Sequence, residues 1–159
     1  MWIAASPSVA GSGRHTLHHG GVNARNPLVL AEGVGTGGER WTLTTDGSGT
    51  RRRTIVQVVE TDGRRWGAGF GGPPLPPGHR LATLVGQSGG GAHLVIVRVA
   101  ADVRAAVATL SDGTREDLRL HGDPTEFGAR VAVLVYPPEL DLHRLVLLDE
   151  SGRELPDAM

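Results

Sequence analysis

The residues best suited to binding chemistry are basic and lie around one predicted hairpin. A strand over 53–60 would pair with 64–70 across an Asp62-Gly63 turn, which brings together arginines from two separate runs. Guanidinium groups bind phosphate oxygens through a planar fork, and a neighbouring indole can stack on a base. The candidate ligand-binding residues are therefore Arg51, Arg52, Arg53, Arg64, Arg65 and Trp66.

The same arginines have a second interpretation that involves no ligand. Arginine at a strand end protects an exposed sheet edge against pairing with another chain. Glu60 and Asp62 lie beside the two runs and neutralise part of their charge. The sequence favours this edge-protecting role and keeps a site for an anionic ligand or nucleic acid as the alternative.

Two sequence patterns of enzymes are incomplete in this chain. Gly33, Gly35 and Gly38 have the spacing of a dinucleotide-binding loop, but such a loop must open a helix. The segment ERWTLTT that follows predicts a strand instead. No serine lies in a Gly-x-Ser-x-Gly elbow, and the chain has no cysteine nucleophile. We therefore expect no catalytic residue, no cofactor and no enzymatic activity.

Histidine is the one clustered metal-ligating residue type. His15, His18 and His19 could supply three imidazoles, but no carboxylate lies near them in sequence to orient the rings. The remaining histidines are scattered, one in each segment, and the absence of cysteine excludes thiolate sites. We therefore expect no metal site; the scattered histidines are His79, His93, His121 and His143.

Composition limits the kind of partner. The 159 residues carry a net charge of -1, and all 16 basic residues are arginine. A chain without excess positive charge has no general attraction to nucleic acid or to an anionic membrane. No apolar run reaches the roughly 18 residues of a spanning helix, and the first residues lack the basic and apolar regions of a signal peptide. We expect a cytoplasmic protein with a protein partner or self-association.

Turn residues divide the chain into three regions. Residues 1–27 are rich in glycine, serine and histidine with little apolar periodicity, which predicts a flexible arm. Residues 28–78 read as a β-subdomain that ends in the proline-rich connector GGPPLPPG at 71–78. Residues 79–159 contain short apolar runs between evenly spaced turns, which is typical of a β-sandwich.

Alternation of apolar residues predicts strands in both halves. In RRRTIVQVVE one face carries Thr54, Val56, Val58 and Glu60. The segment HLVIVRV at 93–99 is apolar on both faces and predicts a strand in the middle of a sheet. The segment 100–110 is ambiguous, because Asp102 could cap a short helix. Its length and the Asp112-Gly113 turn behind it favour a strand.

The last two apolar runs, 128–136 and 142–149, are expected to be adjacent strands. Val131, Val133 and Val135 would share one face of the first strand. The opposite face is also mostly apolar, so this strand should be central, or its second face should be covered by the N-terminal subdomain.

Several of these segments together resemble a known group of proteins. The series VAADVRAAVATLSDGTRED, ARVAVLVYP and HRLVLLDESGREL, with LAEGVGTGGERWTLTT and ETDGRRWGAGFG upstream, is similar to small actinobacterial β-proteins of uncharacterised function. The resemblance covers about residues 29–156 and implies an immunoglobulin-like sandwich with an appended N-terminal β-subdomain. Such proteins often carry two cysteines near the positions of Ile55 and Ala68, where this chain has none.

The sequence as a whole predicts an all-β protein without catalytic activity. Its expected function is that of a protein-interaction or structural module that binds another protein or itself through sheet edges and loops. The alternative is a binder of an anionic ligand or nucleic acid through the region from Arg51 to Trp66.

Overall fold

A computed structural model describes residues 27–47, 51–72 and 75–156 and shows an all-β chain. All strand pairs among the described residues are antiparallel, which confirms the expected all-β class with antiparallel sheets. The predicted arm lies outside the described residues, except for Pro27. The strands are β1 (Leu28–Val34), β2 (Arg40–Asp46), β3 (Arg53–Val59), β4 (Arg65–Phe70), β5 (Leu81–Gln87), β6 (His93–Val99), β7 (Ala105–Leu110), β8 (Arg115–Leu118), β9 (Arg130–Tyr136) and β10 (Leu142–Leu148).

The strands form three sheets. The N-terminal sheet has the order β1-β2-β3-β4, the middle sheet β5-β6-β9 and the C-terminal sheet β10-β7-β8. Consecutive strands of the N-terminal sheet are joined as hairpins, so its register follows directly from the chain order. In the other two sheets the chain crosses between layers, because β9 pairs with β6 and β10 pairs with β7.

The middle sheet is covered on both faces, so the protein has three layers. Leu94, Ile96 and Val133 belong to one buried cluster with Leu43 and Val56 of the N-terminal sheet. The alternate residues of β6 and β9 belong to a second cluster with the C-terminal sheet. This double burial explains the continuous apolar runs of β6 and β9, and it confirms that both faces of β9 are covered.

The expected adjacency of the last two strands is wrong. β9 pairs with β6 through Ile96 opposite Val133, whereas β10 pairs with β7 through Val107 opposite Val146. The two consecutive prolines after Tyr136 cannot donate backbone hydrogen bonds and so end β9. The chain then crosses to the C-terminal sheet, where Leu147 is buried in the second cluster.

The turn and strand predictions for the hairpins are confirmed. Gly63 and Gly113 have φ of 89° and 87°, the left-handed conformation that an Asp-Gly turn requires. The ambiguous segment forms strand β7, with Ala106, Ala108 and Leu110 buried in the second cluster. The helical alternative for this segment is wrong, because the hairpin partner β8 satisfies its backbone groups.

One short helix is present among the described residues, α1 (Pro124–Phe127). The Asp123 side chain accepts a hydrogen bond from the Thr125 N–H at 2.9 Å and caps its start. Gly128, with φ of 72°, ends it. This helix is much too short to cross a bilayer, and the described residues contain no longer one. Its structural consequence is the position of Phe127, which lies against the N-terminal sheet.

Candidate functional site

The predicted hairpin forms, and it places the candidate arginines at its two ends. β3 and β4 pair from Thr54 opposite Phe70 to Val59 opposite Arg65. The seven residues of β3 span about 20 Å at the usual rise per residue. The hairpin therefore separates the two runs: Arg51, Arg52 and Arg53 lie at one end, and Arg64, Arg65 and Trp66 lie toward the other.

Two of the exposed arginines are held by neighbouring carboxylates. Arg53 donates from Nε and Nη2 to the two oxygens of Asp46 at 2.9 and 2.7 Å, and this hydrogen bonding and charge raise the pKa of Arg53. Arg64 donates to Asp62 from its backbone N–H and from Nε, and both bonds lower the pKa of Asp62. Both pairs keep the guanidinium charges on the surface and partly neutralised.

The aromatic member of the predicted site faces the core. Trp66 is 5% exposed, and its Nε1–H donates a 2.8 Å hydrogen bond to Oε1 of Glu60. The same oxygen accepts the backbone N–H of Ala92 at 3.0 Å. Glu60 therefore joins Trp66 of the N-terminal sheet to Ala92, which directly precedes β6, and the Trp66 ring is not presented to solvent for stacking.

The most unusual electrostatic feature is a pair of buried arginines at the end of the hairpin where β3 begins. Arg52 is 9% exposed and Arg98, on β6, is 1% exposed. Their guanidinium groups lie over the rings of Phe127 and Phe70, at 4.4 and 3.9 Å from the ring centres. Burial, followed by repulsion from Arg52, lowers the pKa of Arg98 to about 10.

Two adjacent threonine hydroxyls hold this arginine pair. Arg98 donates to Thr54 Oγ1 from Nε at 2.9 Å and from Nη2 at 2.6 Å, and Nη2 also reaches the Phe70 carbonyl at 3.1 Å. Arg52 donates from Nη1 to Thr45 Oγ1 at 3.4 Å. Thr45 and Thr54 are direct partners across β2 and β3. The two guanidinium groups are thus attached to neighbouring positions on the core face.

The solvent face of the N-terminal sheet carries a different basic row. Arg40, Val59 and Arg65 are consecutive cross-strand partners on β2, β3 and β4. They line a shallow depression with Glu32 and Val34. Neither arginine forms an ion pair with a described residue. This row places Arg65 near a basic residue, Arg40, that the sequence pattern alone did not select.

The outer edge of the same sheet is apolar. β1 pairs with β2 on one side, and its other side is an open edge in the described structure. Leu28, Val29 and Val34 are 51%, 54% and 69% exposed. On the core face, the indole of Trp41 lies directly against Gly33 and fills the space that a side chain would occupy.

A cleft between β1, β8 and β9 contains His121, whose pKa is shifted by its surroundings. The His121 ring meets the Trp41 ring edge-on, with 6.0 Å between the ring centres. Burial and the nearby Arg119 charge lower the pKa of His121. Glu116 and Asp117 line the same cleft. Among residues 27–47, 51–72 and 75–156, no three histidine or acidic side chains converge as a metal site.

The remaining residues singled out in the sequence do not form a site among the described residues. The glycine series Gly33, Gly35 and Gly38 connects β1 to β2, so a strand and not a helix follows it. His15, His18 and His19 lie outside the described residues. Sequence reasoning missed Arg98, although a single charged residue inside the apolar run HLVIVRV was an available signal.

Comparison with protein-family models, with curated proteins and with solved structures gives no match for this chain. Its function is therefore inferred from the geometry of these surfaces.

Proposed function

We propose that this chain is a non-catalytic β-module that binds another protein molecule by strand addition at β1. The observation that carries the proposal is the distribution of exposed apolar side chains. Of the four large apolar residues exposed in the described part of the chain, three lie on β1, namely Leu28, Val29 and Val34. An edge strand with apolar side chains and unpaired backbone groups is a template for another strand.

The backbone of β1 supplies the hydrogen bonds that strand addition needs. The Gly35 N–H donates to the Glu39 carbonyl at 2.7 Å, so the backbone groups of Gly35 face β2. Because this direction alternates along a strand, the N–H and C=O groups of Glu32 and Val34 point to the open edge. These two residues can receive an added strand without any change in the sheet.

The occupant that fits this edge is a second copy of the chain. Antiparallel pairing around a twofold axis at Gly33 places Glu32 of each copy opposite Val34 of the other. Both residues direct their backbone groups to the edge, so each such pair exchanges two N–H···O bonds. The absence of a side chain at Gly33 lets the two strands meet at the axis.

Charge complementarity favours this self-pairing. Val34 is the cross-strand partner of Arg40 on β2. In the twofold arrangement, Glu32 of the second copy pairs with Val34. It therefore lies in the cross-strand row of Val34 and Arg40, on the far side of Val34 from Arg40. The long Arg40 side chain, which forms no ion pair with a described residue, can then reach an opposite charge on the same face.

The two C-terminal layers are proposed to be an immunoglobulin-like sandwich, with the N-terminal sheet as its appended subdomain. The strand order supports this assignment. In the immunoglobulin arrangement strands A, B and E share one sheet and C and F share the other. β5, β6 and β9 occupy the first set, and β7 and β10 occupy the second. The bridge between Leu148 and Glu154 lies where a last strand would pair with β10.

Sedimentation equilibrium over a wide concentration range tests the proposed self-association. The wild-type chain should show a concentration-dependent mass that approaches twice that of the monomer. Val34→Lys should shift the equilibrium to the monomer, because it places a charge at the centre of the paired edges. Circular dichroism of the variant should match the wild type, and so should its melting temperature at concentrations at which the wild type is monomeric, since Val34 is exposed.

Val85→Lys is the matched control. Val85 is the fourth exposed large apolar residue, 44% exposed, and lies on β5, an edge strand of the middle sheet. It should leave the association unchanged. A wild-type chain that stays monomeric at all concentrations, or equal dissociation by Val34→Lys and Val85→Lys, would refute self-pairing at β1. A monomer whose β1 amides are protected only by an added partner would identify a different protein as the occupant.

A further inference from the structure

The buried arginine pair has a property that the strand-addition proposal does not use. Arg52 is more than nine-tenths buried, and its Nε has no hydrogen-bond partner among the described residues. The other two nitrogens of Arg52 donate long hydrogen bonds, Nη1 to Thr45 Oγ1 at 3.4 Å and Nη2 to the Glu126 carbonyl at 3.5 Å. At such distances hydrogen bonds are weak. No described carboxylate forms an ion pair with Arg52.

A buried charge in this condition is unfavourable unless something else compensates it. Buried ions in proteins are normally paired and fully hydrogen-bonded, and an unsatisfied buried donor indicates an ion or water that binds there. The Arg98 guanidinium supplies a second positive charge nearby, because Arg52 and Arg98 donate to the hydroxyls of the cross-strand partners Thr45 and Thr54. Two guanidinium groups therefore lie at neighbouring positions, where a doubly charged anion can interact with both.

The available donors match the geometry of an oxyanion. The Nε and Nη2 groups of a guanidinium form the edge that binds two oxygens of one phosphate or carboxylate. In Arg52 this edge has one donor without a partner and one with a 3.5 Å contact. The Phe127 ring covers one face of the group and fixes its plane. Nε thus has a hydrogen-bonding capacity that no described residue uses.

We propose that Arg52 binds a phosphate-type dianion at the end of the layer between the N-terminal and middle sheets, with Arg98 supplying the second positive charge. Arg52 directly precedes β3 and the residue as a whole retains 9% exposure, whereas its Nε is buried, so a ligand reaches Nε only when neighbouring side chains shift. A phosphoryl group carries nearly two negative charges at neutral pH and three acceptor oxygens, which suits two guanidinium groups better than a single carboxylate does. The group that the site recognises is the phosphoryl group, which free phosphate and a phosphomonoester share.

Titration of the full chain with inorganic phosphate, at constant ionic strength maintained with chloride, tests the proposal. The melting temperature should rise with phosphate and saturate, because a ligand that binds the folded state stabilises it. Arg52→Met keeps the packing against Phe127 but removes the charge and the fork, and should abolish the rise. Arg53→Met is the matched control, since Arg53 is the next residue, is exposed and is paired with Asp46. It should retain the full response.

Arg52→Lys provides a second measurement in case the methionine variant does not fold. Lysine keeps the charge but loses the bidentate fork, so the half-saturating phosphate concentration should rise by about tenfold or more. A wild-type melting temperature that responds to phosphate no more than to chloride would overturn the proposal. The same response in wild type and Arg52→Met, or in wild type and Arg52→Lys, would also overturn it.

O-phosphoserine distinguishes the two sources of the group. A shift equal to that with inorganic phosphate shows that the site accepts a phosphoryl group attached to a larger molecule. A shift with inorganic phosphate alone shows that the site admits only the free ion. Both outcomes require Arg52, and neither depends on self-association at β1, which the Val34→Lys variant tests separately.

Discussion

Trp66 donates its indole N–H to Oε1 of Glu60 at 2.8 Å, and this buried bond lies within the hairpin of β3 and β4. The same oxygen accepts a hydrogen bond from the N–H of Ala92, which directly precedes β6 in the middle sheet. Glu60 is 9% exposed, so this buried carboxylate holds the β3–β4 hairpin of the N-terminal sheet against the middle sheet. The carboxylate satisfies one side-chain donor and one backbone donor that would otherwise be buried without partners.

Glu60→Ala should therefore destabilise the fold strongly. It leaves the Trp66 and Ala92 donors unsatisfied, which we expect to cost about 2–4 kcal/mol. Glu60→Gln keeps an acceptor oxygen in place and should lose clearly less. Urea unfolding of both variants measures the difference. Equal losses for alanine and glutamine would mean that packing, and not the hydrogen bonds of Glu60, stabilises this junction.

The first buried cluster should be sensitive at Val133. Val133 is 8% exposed and packs in the cluster shared by the N-terminal and middle sheets. Val133→Ala removes two methyl groups and leaves a small cavity, at a cost of about 1.5–3 kcal/mol in the free energy of unfolding. Urea unfolding measures it.

The control for Val133 must be chosen from the structure. An exposed Arg130 would be expected to tolerate alanine, but Arg130 donates from Nη2 to the Val103 carbonyl at 2.6 Å and is half-buried. Arg115 is a better control, because its side chain is 68% exposed and makes only a long contact with Asp117. Arg115→Ala should cost under about 0.5 kcal/mol. Comparable losses at positions 133 and 115 would contradict the three-layer packing.

Gly33 should not tolerate a side chain, for a steric reason. A Cβ at this position would overlap the indole of Trp41. Gly33→Ala should destabilise the chain by about 1–3 kcal/mol, because Trp41 must move out of a packed position. Gly71→Ala is the control, since a Cβ there would meet Arg53 Cγ at 3.5 Å and the Arg52 carbonyl oxygen at 3.7 Å, both ordinary van der Waals distances. Thermal unfolding compares them, and an equal effect at both glycines would show that Trp41 is free to move.

Local sequence patterns were sufficient for the strands and turns. The alternation in RRRTIVQVVE placed Thr54, Val56 and Val58 on one face of a strand, and these residues share the buried face of β3. The Asp-Gly dipeptides predicted the tight turns because their backbone preference is local. The doubly apolar pattern of 93–99 predicted a central strand, and β6 lies between β5 and β9.

Long-range placement could not be predicted in the same way. Nothing in the sequence near Arg52 indicates that Arg98, 46 residues later, reaches a neighbouring threonine, because that contact depends on how two sheets stack. The pairing of β10 with β7 is equally non-local. A run of arginines in sequence therefore predicted a basic region, but alternation of side chains along the strand buried Arg52 and exposed Arg53.

The last prediction concerns the pH dependence of stability that His121 contributes. Burial, and then the charge of Arg119, lower the pKa of His121 in the folded state below its ordinary value of 6.5. The unfolded chain therefore binds this proton more readily than the folded chain does in the interval between the folded-state pKa and 6.5. Stability from this group is fully present above 6.5 and is lost as the pH falls through that interval.

His121→Gln removes the titration and keeps the backbone bonds between position 121 and Val131. Urea unfolding of both proteins between about pH 7.5 and pH 5 covers the range in which histidine changes its charge. As the pH falls, the free energy of unfolding of the wild type should decrease relative to that of the variant. A difference between the two proteins that stays constant over this range would mean that His121 ionises as freely in the folded chain as in the unfolded one. It would then show that the cleft beside Trp41 is more open to water than its geometry indicates.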